Sequence, residues 1–235
     1  MVGGIILLVS TGEVGQRHFS GVGVEQPISV EMQKGIEQLK LELNLGAGEA
    51  TVQANTSNDL LVDGAFITDS NLSVTPTATV QGSTASVVIA QEGPEDFVWP
   101  RNGNFFGEMN LSLAEDIPLD LVVNSGASSL ELDLSELIVN SVDINVGMTD
   151  VTLILPDSGD MTVTLDSGMS NVEIIVPSEL EASISFDGAF YNIDPPSRFE
   201  HLDSGKYQTA HYAGASNRVT IIVSGAFGNL DVITR

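Results

Sequence analysis

Apolar and polar residues alternate with a period of two along most of the chain, and a glycine with small or polar neighbours interrupts the alternation at intervals. A period of two is the pleat of a β-strand with one buried face. The glycine supplies the positive φ or the close approach that a sharp corner demands. Each copy of this pattern therefore reads as strand, tight corner, strand. Six copies occur: LKLELNLGAGEATVQ from Leu39, LDLVVNSGASSLELDL from Leu119, VDINVGMTDVTLILP from Val142, MTVTLDSGMSNVEIIVP from Met161, ASISFDGAFYNI from Ala182 and VTIIVSGAFGNLDVI from Val219.

Gly126, Gly147 and Gly168 lie 21 residues apart, as do Pro156 and Pro177, and Gly188 follows after 20. Regular spacing of a unit that cannot bury its apolar face alone predicts stacked coils. The fold expected is all-β, a single-stack β-solenoid with a repeat of about 21 residues and a less regular N-terminal β-region. Parallel pairing of coils places Leu130, Val151 and Val172 in one internal stack and Leu132, Leu153 and Ile174 in a second. Asn124, Asn145, Asp166 and Asp187 share the 21-residue spacing and predict a polar ladder at the corner. The same spacing makes Asp166 and Asp187 neighbours, a weak match to calcium, which takes six to eight oxygens. Open strand edges at the ends of the stack need cover. The N-terminal region is expected to cap one end and the strand Leu230 to Ile233 to help close the other.

The chain divides into an N-terminal segment, 1–19, an N-terminal β-region, 20–98, and solenoid repeats, 99–235, interrupted by a loop at 195–217. The apolar run Gly3 to Val9 in MVGGIILLVS is too short to span a bilayer and lacks the basic start of a signal peptide. It suits either the tail of a truncated membrane helix or, equally, a first strand or a disordered terminus. In the second region, strands are predicted at Leu39 to Leu45, Ala50 to Ala54, Asp59 to Phe66, Leu72 to Thr79 and Ser86 to Gln91. Glu92 to Gly107, with Pro94, Pro100 and Gly103, reads as a connector.

Composition narrows the function. Hydrophobic residues make up 42% of the 235, only 6% are aromatic, and this suits stacked aliphatic layers. Eight Lys and Arg against 32 Asp and Glu give a net charge of −24, which repels nucleic acid and anionic headgroups. With no cysteine, disulfides, thiolate metal sites and cysteine nucleophiles are excluded.

No residue cluster amounts to an active site, and the chain is expected to be non-catalytic, without cofactor or metal. His18, His201 and His211 lack a second ligand at zinc spacing. His201, Asp203 and Ser204 stand together without the strand-to-helix elbow of a serine hydrolase. Carboxylate pairs such as Asp157 with Asp160, or Glu131 with Asp133, are expected by chance in so acidic a chain. Gly46 to Gly48 lacks the helix and lysine of a phosphate loop. The interrupting loop gathers Arg198, Phe199, Tyr207, His211 and Tyr212, with Lys206 and Arg218, in a chain poor in both types. Arg and Tyr are favoured at contact surfaces, so this loop is a candidate partner contact. The other reading is that its aromatics cover the side of the stack.

The phrases IPLDLVVNSGASSLELDLSEL from Ile117, VDINVGMTDVTLILP and VTLDSGMSNVEIIVP resemble the toast-rack domain of bacterial envelope proteins, also labelled putative adhesin. IEQLKLELNLGAGEATVQANTSNDLLVDGAF is similar to the N-terminal part of the same proteins and of LiaF-type cell-wall-active antibiotic response proteins. The resemblance implies a solenoid placed outside the membrane behind one or more transmembrane helices, and no catalytic residues. It implies an adhesin-like interaction or scaffold module of the cell envelope that contacts an envelope protein, wall glycan or itself, with a membrane tether through an upstream helix. The alternative is a sensor or regulatory domain of an envelope-stress system.

Overall fold

The computed structural model describes residues 5–6, 23–56, 59–68, 72–93, 107–193, 195–203 and 205–235. In chain order the strands are β1 (Ile5–Ile6), β2 (Val24–Glu31), β3 (Gln38–Asn55), β4 (Leu60–Thr68), β5 (Ser73–Gln81), β6 (Thr84–Glu92), β7 (Glu108–Ala114), β8 (Leu119–Asp133), β9 (Val139–Ile154), β10 (Asp160–Val176), β11 (Glu181–Ile193), β12 (Phe199–Asp203), β13 (Lys206–Thr209) and β14 (Arg218–Thr234). A single 3₁₀ turn, Tyr212–Gly214, precedes β14, and no α-helix occurs among the described residues.

The solenoid is made by β3, β8, β9, β10, β14 and β11, paired in parallel in that order. Each long strand crosses two walls. Leu119, Leu121 and Val123 are buried before Gly126, and Leu130 and Leu132 after it, so the buried parity changes from odd to even at the glycine. A straight strand keeps its parity. The slip marks a bend that turns both halves' inner faces towards one shared core. The same slip separates Val142 and Ile144 from Val151 and Leu153, and Val163 and Leu165 from Val172 and Ile174.

Pairing in register makes the core a set of aliphatic columns. Leu41, Leu121, Val142, Val163, Ile221 and Ile184 follow one another across the first wall. Ala50, Leu130, Val151, Val172 and Leu230 do so across the second, and so do Val52, Leu132, Leu153, Ile174 and Val232. Both stacks expected from the 21-residue spacing are thus present, each extended by one coil at either end, β3 and β14.

The expected closing strand takes two places. On the first wall β14 lies inside the stack, between β10 and β11, whereas beyond Leu230 it pairs with β10 alone and forms the end of the second wall, as expected of Leu230 to Ile233. The reason is length. β14 crosses both walls and pairs with β10 from Asp160↔Arg218 to Val176↔Thr234, whereas β11 stops at Ile193, shortly before Pro195 and Pro196. The complete strand covers β10 fully and the shorter one is left outside. Ser224 therefore separates Asp166 from Asp187, so the carboxylate neighbours required by the calcium reading are not formed.

The interrupting segment is a hairpin, β12 with β13, but it extends the sheet beyond β11 rather than lying on the side of the stack. β13 pairs antiparallel with Ser183 to Ser185 of β11. Thr209, buried, ties the joint: its Oγ1 accepts from the Ala182 amide at 2.9 Å and donates to the Ala182 carbonyl at 3.3 Å.

At the N-terminal end, β3 is the first coil, and two separate strands replace the next: β6 pairs with its first half and β7 with its second. β5 covers β6, while β4 and then β2 cover β7, all antiparallel. β3 stands in register with β8 from Leu39↔Leu119 to Val52↔Leu132, so the sheet runs unbroken across residue 98. Pro27 and Pro76 sit in β2 and β5, outer positions where a missing donor is tolerated. The sequence patterning had not singled out β2 or β7, the first because its proline reads as a breaker and the second because it adjoins the connector. Most of residues 1–19 and of the connector lies outside the described residues, Trp99 included; Ile5–Ile6 pairs antiparallel with Val80 and Thr79. Among the described residues no helix is long and apolar enough to cross a membrane.

Candidate interaction surface

The corner between the walls is where successive backbones come closest. A Cβ built on Gly126 would stand 2.7 Å from the Gly46 carbonyl oxygen, one on Gly147 2.5 Å from that of Gly126, and one on Gly168 2.7 Å from that of Gly147. None of these three glycines has a positive φ, so close approach, not a left-handed backbone, is what requires them. In the last two coils the glycine stands one residue earlier, with Gly225 opposite Ser167 and Gly188 opposite Gly225.

Polar ladders flank this glycine column. On the first wall Asn124 Nδ2 donates to Asn44 Oδ1 at 2.8 Å and Asn145 Nδ2 to Asn124 Oδ1 at 3.1 Å. On the second, Asn171 Nδ2 donates to Asp150 Oδ1 at 2.9 Å and Asn229 Nδ2 to Asn171 Oδ1 at 3.1 Å. The first ladder was expected at Asn124 and Asn145 but not at Asn44, and its expected continuation to Asp187 is interrupted by Ser224; the second ladder was not expected, although Asp150 and Asn171 also lie 21 apart. Inside the corner the hydroxyls of Ser125 and Ser128 bond at 2.8 Å, and those of Ser170 and Ser167 at 2.9 Å. These four corner hydroxyls, withdrawn in part from water, thus partner one another.

The outer rim of the corner is apolar. Ala127, Met148, Met169 and Phe227 are consecutive in register, and the last three are 61%, 52% and 49% exposed. A shallow groove of about 450 Å³ runs beside them, lined by Ser128, Thr149, Asp150, Ser170, Asn171 and Gly228 together with the methionines. Nothing in the alternation pattern marks this ridge, because corner positions fall outside the period of two.

The loop residues expected to contact a partner take different places. Phe199 is buried in the core and Tyr207 packs against it, stacked on His201 with ring centroids 4.8 Å apart. Arg198 donates to the carbonyls of Ser178 and Leu180 at 2.8 and 2.6 Å and lies over the Phe199 ring, pinning the hairpin to the turn before β11. Burial lowers its pKa, against the charges of Glu181 and Glu179, while the guanidinium stays protonated. The Tyr212 hydroxyl bonds Thr220 Oγ1 at 2.6 Å, and Arg218 lies over its ring. His211 is exposed beside a shallow hollow formed with Ala210, Ala213 and Ala215. Most of this loop therefore holds the hairpin to the stack.

One member of each carboxylate pair has a structural partner. Arg218 donates to both oxygens of Asp160, at 2.7 and 3.1 Å, and through these hydrogen bonds and its charge lowers the carboxyl's pKa. Asp133 Oδ1 accepts from the Ser135 amide and hydroxyl, closing the turn after β8. Among the described residues no group of His, Asp and Glu is arranged to hold a metal ion.

The sheet has known relatives. A putative cell adhesion protein from Clostridium sporogenes superposes with a TM-score of 0.83 at 21% identity, over 91% of this chain and all of that one, and shares its fold. A putative adhesin from Bacteroides fragilis aligns over 90% of this chain and 97% of its own, at 9% identity and a TM-score of 0.29. No curated protein matches the chain. The model of the N-terminal domain of toast-rack proteins, DUF2154, matches residues 20–175. That span covers more than half of the sequence and contains β3, β8, β9 and nearly all of β10: the chain belongs to the toast-rack family.

Proposed function

We propose that this protein is a non-catalytic, adhesin-like interaction module of the bacterial cell envelope, exposed outside the cytoplasmic membrane. The observation that carries the reading is the in-register stack itself. It repeats each outward position coil after coil, as Thr51, Glu131, Thr152, Glu173 and Asp231 do on the second wall. Such rows give a rigid, extended surface suited to contact rather than to catalysis. The name of the Clostridium relative supports the reading, as does the structural employment of Asp160, Asp133 and His201. Its partners are an envelope protein, wall glycan or a second copy.

Photo-crosslinking in intact cells, from probes at Glu131, Glu173 and His211, tests it. The expected result is capture of surface protein or glycan by a non-permeant reagent. Capture of cytoplasmic proteins alone would refute the envelope placement, and capture of a membrane sensor kinase would replace the adhesin-like role with a signalling one.

A further inference from the structure

Among the described residues, the ridge Met148, Met169 and Phe227 is the most exposed run of large apolar side chains in the solenoid. Its members belong to adjacent strands, β9, β10 and β14, and stand one per coil, so they repeat at roughly 4.8 Å along the stack. That repeat is close to the advance of one helical turn, about 5.4 Å. A helix carrying apolar residues at every third or fourth position would set one of them against each coil. Methionine is the side chain best able to adapt to such a partner.

Charge selects among possible helices. Every charged side chain from Gly107 to Ile193 is a carboxylate, and Asp150 lines the groove beside the ridge. Asp166 lies one wall over, exposed next to the corner. The whole chain carries −24, which opposes the approach of a second copy or of an anionic bilayer. We propose that the corner ridge docks a basic amphipathic helix of another protein, its apolar stripe on Met148, Met169 and Phe227 and its Lys and Arg over Asp150 and the neighbouring carboxylates. This deepens the interaction-module reading and rests on it.

Methyl-labelled methionine in the intact chain reads the site directly, because Met148 and Met169 are exposed while Met109 and Met161 are buried internal controls. The probe is a synthetic amphipathic helix with Leu on one face and Lys on the other, and its counterpart has Glu in place of Lys. With the Lys peptide the Met148 and Met169 methyl signals should shift and those of Met109 and Met161 should not. Affinity should fall by about tenfold between about 0.05 and about 0.3 M salt. Met148→Ser with Met169→Ser should weaken binding about tenfold or more without altering the fold, since both side chains are on the surface. Asp150→Asn, which leaves Oδ1 to accept from Asn171, should weaken it further.

Equal binding of the Glu peptide, or unmoved Met148 and Met169 methyls, would overturn the proposal. So would shifts that appear on concentrating the protein alone, which would make a second copy the occupant. If the methyls stay still while wall probes capture a surface partner, only the ridge fails and the interaction-module reading stands. If the methyls shift but the envelope crosslinks fail, the reverse holds.

Discussion

Gly147→Ala separates two opposed effects at one atom. The residue has no positive φ, so conformational entropy alone predicts that alanine stabilises by about 0.4 to 1 kcal/mol through the unfolded chain. Sterics predict the opposite. The new Cβ would stand 2.5 Å from the Gly126 carbonyl oxygen, whereas ordinary contact begins near 3.4 Å, so the two coils must separate by most of an ångström. The obstacle is backbone, held by parallel ladders on either side, and Gly126 is itself close against Gly46. Overpacking of this kind costs about 1 to 3 kcal/mol. A weakened ladder hydrogen bond adds about 1 kcal/mol. The net expectation, after the entropic gain is subtracted, is a loss of about 2 kcal/mol, read as a lower urea midpoint at unchanged slope. Gly214→Ala is the matched control: no atom lies within 4 Å of its Cβ and its φ is not positive, so it should be neutral or slightly stabilising. If Gly147→Ala matches Gly214→Ala, the corner is not close-packed and the account of the glycine column is wrong.

Removal of residues 218–235 takes away the buried Val219, Ile221, Val223, Leu230 and Val232 and opens edges on both β10 and β11. At about 1.5 to 3 kcal/mol per buried aliphatic side chain the loss approaches the whole stability of a domain, so this truncation should be recovered as aggregate; a soluble, cooperatively melting product would refute the inserted position of β14. Thr209→Val keeps the side-chain shape but leaves the Ala182 amide without the Oγ1 acceptor, and should cost about 1 to 3 kcal/mol in denaturant titration; an unchanged midpoint would show that the hairpin is not tied there. Arg218 lowers the Asp160 pKa, so the pair's contribution is present above the ordinary carboxylate value near 3.8 and is lost as pH falls through the lowered one. Melting curves of wild type and Asp160→Asn should therefore differ slightly at neutral pH and converge in strong acid; a gap that widens towards acid would contradict the sign.

Much of the architecture was legible because it is local. The period of two, the glycine corners and the 21-residue spacing follow from backbone geometry that each coil obeys alone, and they placed Leu130 over Val151 and Asn124 over Asn145 correctly. They also carried the resemblance that the toast-rack match established. Other features depend on competition between distant segments. β14 displaces β11 because it offers β10 a partner across both walls, and that comparison of lengths exists only once both strands are formed. The contact loop looked like a cluster of free aromatic and basic residues, yet Phe199 and Arg198 are spent on holding the hairpin to the stack. Conversely, Met148, Met169 and Phe227 come from three different repeats and become a ridge only when register aligns them. The sequence by itself determined the unit, the corner and the family; the tertiary structure alone decided the order of the coils and which side chains face outward together, because both are set by pairing between segments far apart in the chain.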